Sequence, residues 1–118
     1  MSGINKVVLV GHLGKSPDLR VLANDTAVVS FPLATSEIMV IDGVKQEKTE
    51  WHNVVMWRGL ADAASKFLQK GKLIYLEGKL RTRTFEDKAG ATKYTTEIIA
   101  ESFTLLGRSS DFSIPVSA

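Results

Sequence analysis

Cysteine is absent from this chain. That excludes a disulfide scaffold, a zinc–thiolate site, an iron–sulfur cluster and a thiol nucleophile, and it suits a reducing cytosol. Long apolar runs are missing too. None approaches the ~18 residues of a membrane span, and Met1-Ser2-Gly3-Ile4-Asn5-Lys6 lacks the apolar stretch of a secretion signal. The expectation is a cytoplasmic protein with no membrane partner. Histidine is scarce: His12 and His52 are the only two, and neither has a second ligand at metal spacing. No Ser/His/Asp set or carboxylate pair stands out. Gly14-Lys15-Ser16 looks like the end of a phosphate-binding loop, but Leu9 stands where that motif needs its first glycine, and Pro17 follows instead of a helix start. Asn24-Asp25-Thr26 is a glycosylation sequon with no secretion signal to bring it into use. The sequence therefore predicts no metal, no cofactor and no enzyme.

What is present fits one globular domain. The chain has 118 residues, 44% hydrophobic and 24% charged, enough to bury a core without covalent staples. The net charge is only +2, yet it is unevenly placed. Between Lys72 and Lys93 lie six basic residues (Lys72, Lys79, Arg81, Arg83, Lys88, Lys93) and three acids (Glu77, Glu86, Asp87). The rest of the chain is slightly acidic, with nine basic and ten acidic residues. A basic strip of this kind is either a phosphate footprint or a solvated strand face.

The apolar pattern is mostly of period two. Lys6 to Val10, closed by Gly11, reads as a buried strand. Gly14, Pro17 and Asp18 mark a turn region, and Arg20-Val21-Leu22 a short addition to the strand system. Ala27 to Ser36 is a second strand with Val29, Phe31 and Leu33 on one face, and Pro32 requires an edge or a bulge there. Ile38 to Thr49 contains Asp42-Gly43 and reads as a hairpin arm or flexible loop, and Trp51 to Trp57 as a third strand. The period then changes. Leu60, Ala63, Ala64, Phe67 and Leu68 are spaced as on an amphipathic helix, with Gly71 as its left-handed cap. Leu73 to Phe85 is a strand bent at Gly78, and Thr92 to Leu106 is the last. Three strands, a helix, then two strands is the order of the OB fold: all-β with one helix, a five-stranded Greek-key barrel whose helix lies between the third and fourth strands. The domain spans residues 1–107, and 108–118 reads as a short flexible tail.

Two faces carry chemistry. In Trp51-His52-Asn53-Val54-Val55-Met56-Trp57, alternation puts Trp51, Asn53, Val55 and Trp57 together and His52, Val54 and Met56 opposite. Two large aromatics about 20 Å apart on one face, by the strand rise, are either core or a stacking platform. In the run from Lys79 to Phe85, the odd positions are Lys79, Arg81, Arg83 and Phe85. Three cations cannot enter a core without partners, so this face is wet or meets an anion. Cations that track phosphates beside a ring that stacks on an unpaired base suit a single-stranded nucleic acid.

Several segments, in order from about Ile4 to Leu106, resemble the bacterial-type single-stranded DNA-binding proteins: Asn5 to Gly11 with Leu13-Gly14, Leu33-Ala34-Thr35-Ser36-Glu37, Thr49-Glu50-Trp51-His52, Glu77-Gly78-Lys79-Leu80-Arg81-Thr82-Arg83 and Tyr94-Thr95-Thr96-Glu97. The resemblance implies an OB barrel, a homotetramer, and sequence-tolerant coating of single-stranded DNA in replication, recombination and repair, on the nucleoid. It places Trp51, Trp57 and Phe85 at stacking positions and Arg81 and Arg83 in the basic run. The candidate DNA-binding set is completed by Lys79, Lys6, Lys93, Asn53 and Met39, where Ile38 and Met39 stand in place of a frequent further tryptophan. His52 is expected to pack rather than touch DNA. The family's acidic tip, which recruits other proteins, has no counterpart in the eleven residues after Gly107, so no normal tip function is expected, while replication and repair proteins stay open as partners. The alternatives are a primosome or recombination accessory OB protein acting through protein partners, an RNA binder, since stacking does not read the 2′-hydroxyl, and a small-barrel enzyme or ligand-binding protein. No convergent polar set supports the last.

Overall fold

The structure is a computed structural model that describes residues 2–107 and 115–117. Its elements in chain order are β1 (Val7–Leu13), β2 (Asp18–Val21), β3 (Ala27–Ile41), β4 (Val44–Trp57), α1 (Gly59–Phe67), β5 (Leu73–Glu86), β6 (Thr92–Leu106) and β7 (Pro115–Ser117). Five strands close a barrel in the order β1-β5-β6-β4-β3, and β3 returns to β1 through His12↔Ala34 and Leu13↔Leu33. All ladders of that ring are antiparallel except the short β4–β6 pairing at Val54↔Ile98 and Val55↔Ile99. This is the OB barrel, with α1 between the third and fourth barrel strands. Two short strands lie outside the ring: β2 pairs with β3, and β7 with β6. The second of these comes from the segment expected to be a flexible tail; residues 108–114 and 118 lie outside the described residues.

Period-two alternation builds the core. Val29, Phe31 and Leu33 of β3, Val54 and Met56 of β4, and Ile74 and Leu76 of β5 point inward and are almost fully buried. α1 closes this core with Leu60, Ala61 and Ala64. Two glycines make the closure possible. A Cβ on Gly11 would run into the Ala34 carbonyl oxygen, and one on Gly78 into the Ile99 carbonyl. At Gly78 the register shifts, so that Glu77 faces Ser102 while Gly78 faces Ala100, and the strand bends as its glycine predicts. Pro32 sits where β3 passes from β2, whose pairing ends at Ser30, to β1, whose pairing begins at Leu33. The missing N–H costs no ladder bond there, and the Pro32 carbonyl accepts from Gly14 N at 2.9 Å.

Two readings are corrected, and a third, left open between hairpin arm and loop, is decided. β1 is not buried on both sides: Val8 and Val10 are 51% and 49% exposed. An unbroken apolar run does not reveal that only one of its faces meets the core. The helix ends at Phe67, with extended Leu68 as its C-cap. Gly71, at φ +90°, belongs to the following turn, where its N–H bonds the Leu13 carbonyl at 2.8 Å. The segment Ile38 to Thr49 is a regular arm. β3 and β4 pair without interruption out to Ile41↔Val44, and Asp42 and Gly43 turn at φ 51° and 79°, the positive pair of a type I′ hairpin.

Candidate nucleic-acid interface

The outer sheet surface gathers the residues singled out in the sequence. On β4 the inward side chains Val54 and Met56 are fully buried, while Trp51 is 61% exposed, Asn53 exposed and Trp57 half-buried. The tryptophans are thus surface, not core. Registers extend their face sideways: Trp51 opposes Ala34, Asn53 opposes Pro32, Val55 opposes Ser30 and Trp57 opposes Val28. Arg20 of β2 in turn opposes Val28. On the far side of β4, β5 pairs with β6 through Lys79↔Ile99, Arg81↔Glu97, Arg83↔Thr95 and Phe85↔Lys93. Lys79, Arg81, Arg83 and Phe85 therefore share one face, and Lys93 joins Phe85 directly across the ladder.

Three open grooves of about 440, 470 and 420 Å³ run in series over this surface. The first holds Trp51, Lys15 and Asn53. It shares Asp18, Ser30 and Asn53 with the second, which holds Arg20, Trp57, Arg81, Arg83 and Glu97. The second shares Trp57 and Arg81 with the third, which holds Arg58, Lys79 and Ile99. The result is one continuous track, flanked by aromatics and cations.

Local chemistry sets the posture of each group. The Trp51 ring lies over Gly14: a Cβ at residue 14 would sit 2.5 Å from Trp51 Cζ3 and 2.9 Å from Cη2. Only glycine lets the ring seat there. Ser16 ties the loop down, its hydroxyl accepting from Lys70 N at 3.0 Å. Arg81 Nη2 and Arg83 Nε both reach Glu97 Oε1, at 3.6 and 3.3 Å. Arg20 Nη2 approaches Asp18 Oδ2 at 3.5 Å, both side chains exposed.

Not every candidate joins the track. Lys6 Nζ is held by Glu77 Oε1 at 2.6 Å. That contact holds the lysine above its ordinary pKa; the Lys6 hydrogen bond, and then one from Tyr75, hold Glu77 below the usual carboxylate range. Tyr75 is itself raised, mainly by its hydrogen bond to Glu77. Lys93 is drawn loosely toward Asp87, at 3.9 Å. Met39 opposes Gln46, an odd number of residues from Ala34, so the pleat puts it on the side away from Trp51; Ile38, opposite Glu47, has the Trp51 side. His52 is half-buried, its Nε2 2.9 Å from Thr35 Oγ1. Among the described residues no three His, Asp or Glu side chains gather to hold a metal ion.

Sequence reasoning missed Arg20, Lys15 and Glu97. The first two lie on segments whose placement along the track depends on tertiary contacts. Glu97 falls in step with Thr95 and Ile99 on β6, which register alone sets against Arg81.

Comparison with known proteins identifies the family of the chain. Residues 4–106 match the model of the Single-strand binding protein family. A Single-stranded DNA-binding protein 1 of Chlorobaculum tepidum is 49% identical over 107 residues, covering 89% of this chain and 66% of that protein. One of the same name from Xylella fastidiosa is 44% identical over 113 residues, covering 94% of this chain and 83% of that one. Among solved structures, a Plasmodium falciparum SSB complex with ssDNA superposes with a TM-score of 0.84 at 31% identity, over 91% of this chain and 98% of that one. By sequence and by fold, the chain belongs to the single-strand binding protein family.

Proposed function

We propose that this protein binds single-stranded DNA without reading its sequence, and so protects exposed strands during replication, recombination and repair. One observation carries the reading: Trp51, 61% exposed, and Trp57 stand on the same outer track as Lys79, Arg81 and Arg83, and Phe85 continues the cationic row of β5. Exposed rings on a folded surface are a cost unless something covers them. Unpaired bases do so by stacking, at about 1–3 kcal/mol each and with little regard to base identity. The cations follow the phosphates. Duplex DNA offers the phosphates but keeps its base faces hidden. The group is a binding surface and we assign it no catalytic step. Its place is the cytoplasm, on nucleoid DNA.

Self-association belongs to the same reading. One OB domain occupies ~4–16 nucleotides, so coating a long strand calls for several. The outer face of β1 offers exposed Val8 and Val10. Its Val7–Gly11 stretch is paired on the β5 side only, which leaves an open edge for a second copy. We assign a homotetramer. A sedimentation mass of one subunit would remove it.

The direct test uses the intrinsic fluorophores. Both tryptophans lie on the track, so stoichiometric oligo-dT at low salt should quench their emission strongly. Unchanged emission refutes the reading. Competition between DNA and RNA strands of matched sequence then shows whether the 2′-hydroxyl is tolerated.

A further inference from the structure

Glu97 is the one charged side chain among the described residues that is buried, at 4% exposure. It lies in the middle of the cationic row, directly across the ladder from Arg81. Its Oε1 is shared by Arg81 Nη2 and Arg83 Nε, at 3.6 and 3.3 Å. The two arginine side chains are 48% and 59% exposed. A carboxylate screened from water therefore lies on the floor of the groove, while both of its cations reach into the open track. The Asp18–Arg20 pair on the other wall differs: both partners are exposed, at 63% and 75%, and solvent and salt weaken such a pair.

This arrangement has two effects. It steers the guanidiniums, because a charge-assisted contact holds Arg83 by its Nε. It also cancels one of the two positive charges at the centre of the track. A ligand that offers only phosphates then finds about half the local attraction. One that also offers unpaired bases gains the stacking on Trp51 and Trp57, a contribution that does not depend on the phosphate charge. We propose that Glu97 is a specificity-determining residue: a built-in counter-charge that caps the grip on phosphate and so keeps binding dependent on exposed bases. The inference rests on the single-strand reading above and adds a device within it.

The test is Glu97→Gln, which keeps shape and a carbonyl acceptor but removes the charge. Wild type and variant are titrated with oligo-dT, with a hairpin duplex and with heparin, across a salt series. Releasing one net positive charge steepens the slope of log K against log salt by about 0.7 on the single strand and about 0.9 on the duplex. At 50 mM salt that corresponds to about 8-fold tighter oligo-dT and about 15-fold tighter duplex binding. Heparin binding should rise with the duplex, and the tryptophan quench at saturation should stay unchanged. Unchanged or weaker duplex binding, with no steeper slope, overturns the role and leaves Glu97 a scaffold for the arginines. Glu97→Met serves if the glutamine variant does not fold. It also removes the charge at similar volume, so the same steeper slopes should appear; a scaffold role gives a loss instead. If wild type is not quenched by oligo-dT, the binding reading itself falls. If wild type is quenched but the variants match it on duplex, only the role of Glu97 falls.

Discussion

Replacing Gly14 by alanine separates the stability of the fold from the posture of its binding surface. The new methyl would sit 2.5 and 2.9 Å from two atoms of the Trp51 ring, while its contact to Pro32 Cγ, at 3.4 Å, is ordinary. The obstacle is thus the far end of one side chain, and that side chain is 61% exposed. The ring can swing away at little cost. Gly14 has no left-handed backbone angle to protect, so alanine gains about 0.4–1 kcal/mol by restricting the unfolded chain, which offsets much of the ring's displacement. The expected change in stability is therefore below about 1 kcal/mol, near the ±0.5 kcal/mol of ordinary surface substitutions. The platform, however, moves. One base stack is worth about 1–3 kcal/mol, and a displaced ring should lose part of it, so affinity for oligo-dT should fall about 5- to 15-fold, short of the full loss in Trp51→Ala. Denaturant unfolding and fluorescence titration on the same preparation give both numbers. Unchanged affinity would show that the seat on Gly14 does not position the ring. A stability loss above about 2 kcal/mol would show that the ring is fixed, contrary to its exposure.

Other perturbations test other parts. Replacing both Arg81 and Arg83 by alanine should flatten the salt dependence on single strands by about 0.7 per arginine; it should also destabilise the fold by about 1–3 kcal/mol, because the buried Glu97 carboxylate loses its partners, and unfolding curves read this second effect separately. In Gly78→Ala the methyl meets backbone, the Ile99 carbonyl and Ala100 Cα, so unlike Gly14→Ala it should cost about 1–3 kcal/mol of stability or more, measured by the denaturant midpoint. The Lys6–Glu77–Tyr75 cluster predicts a pH dependence of definite sign. Glu77 is held below its ordinary value of 4.5, so its contribution is full above that pH and is lost as pH falls through the lowered value. Lys6 and Tyr75 are raised above 10.5 and 10.0, so theirs is lost only as pH rises through the raised values. Glu77→Gln should therefore lower stability at neutral pH and flatten its decline below about pH 4.5, and an identical acid limb in variant and wild type would remove the cluster from the account.

Much of the fold was legible because one rule, side-chain alternation, acts locally. Val29, Phe31 and Leu33 read as an inner face, Trp51 and Trp57 as a shared face, and Lys79, Arg81 and Arg83 as a wet one. Gly78 signalled a bend because a strand interior tolerates glycine poorly. The failures have a common cause. β1 is apolar on both faces, so alternation was silent about its exposed side. α1 ends at extended Leu68, and Gly71 turns only beyond it, where its N–H meets the Leu13 carbonyl. Met39 was chosen by proximity to a motif, whereas the unbroken register of the arm assigns its side to Ile38.

The sequence by itself determined the period of each segment, the turn at Asp42-Gly43, the absence of thiol chemistry and the cationic row, since these depend on neighbours within a few residues. The tertiary structure decided what the row meets. Barrel closure through Gly11 and Gly78 brings β6 beside β4 with β5 beyond it, lays Arg20 and Lys15 along the same track, seats the Trp51 ring on Gly14, and buries Glu97 beneath two arginines that are distant from it along the chain. Electrostatic balance and ring posture depend on distances of 3–4 Å across strands, and only the register of a closed sheet sets those.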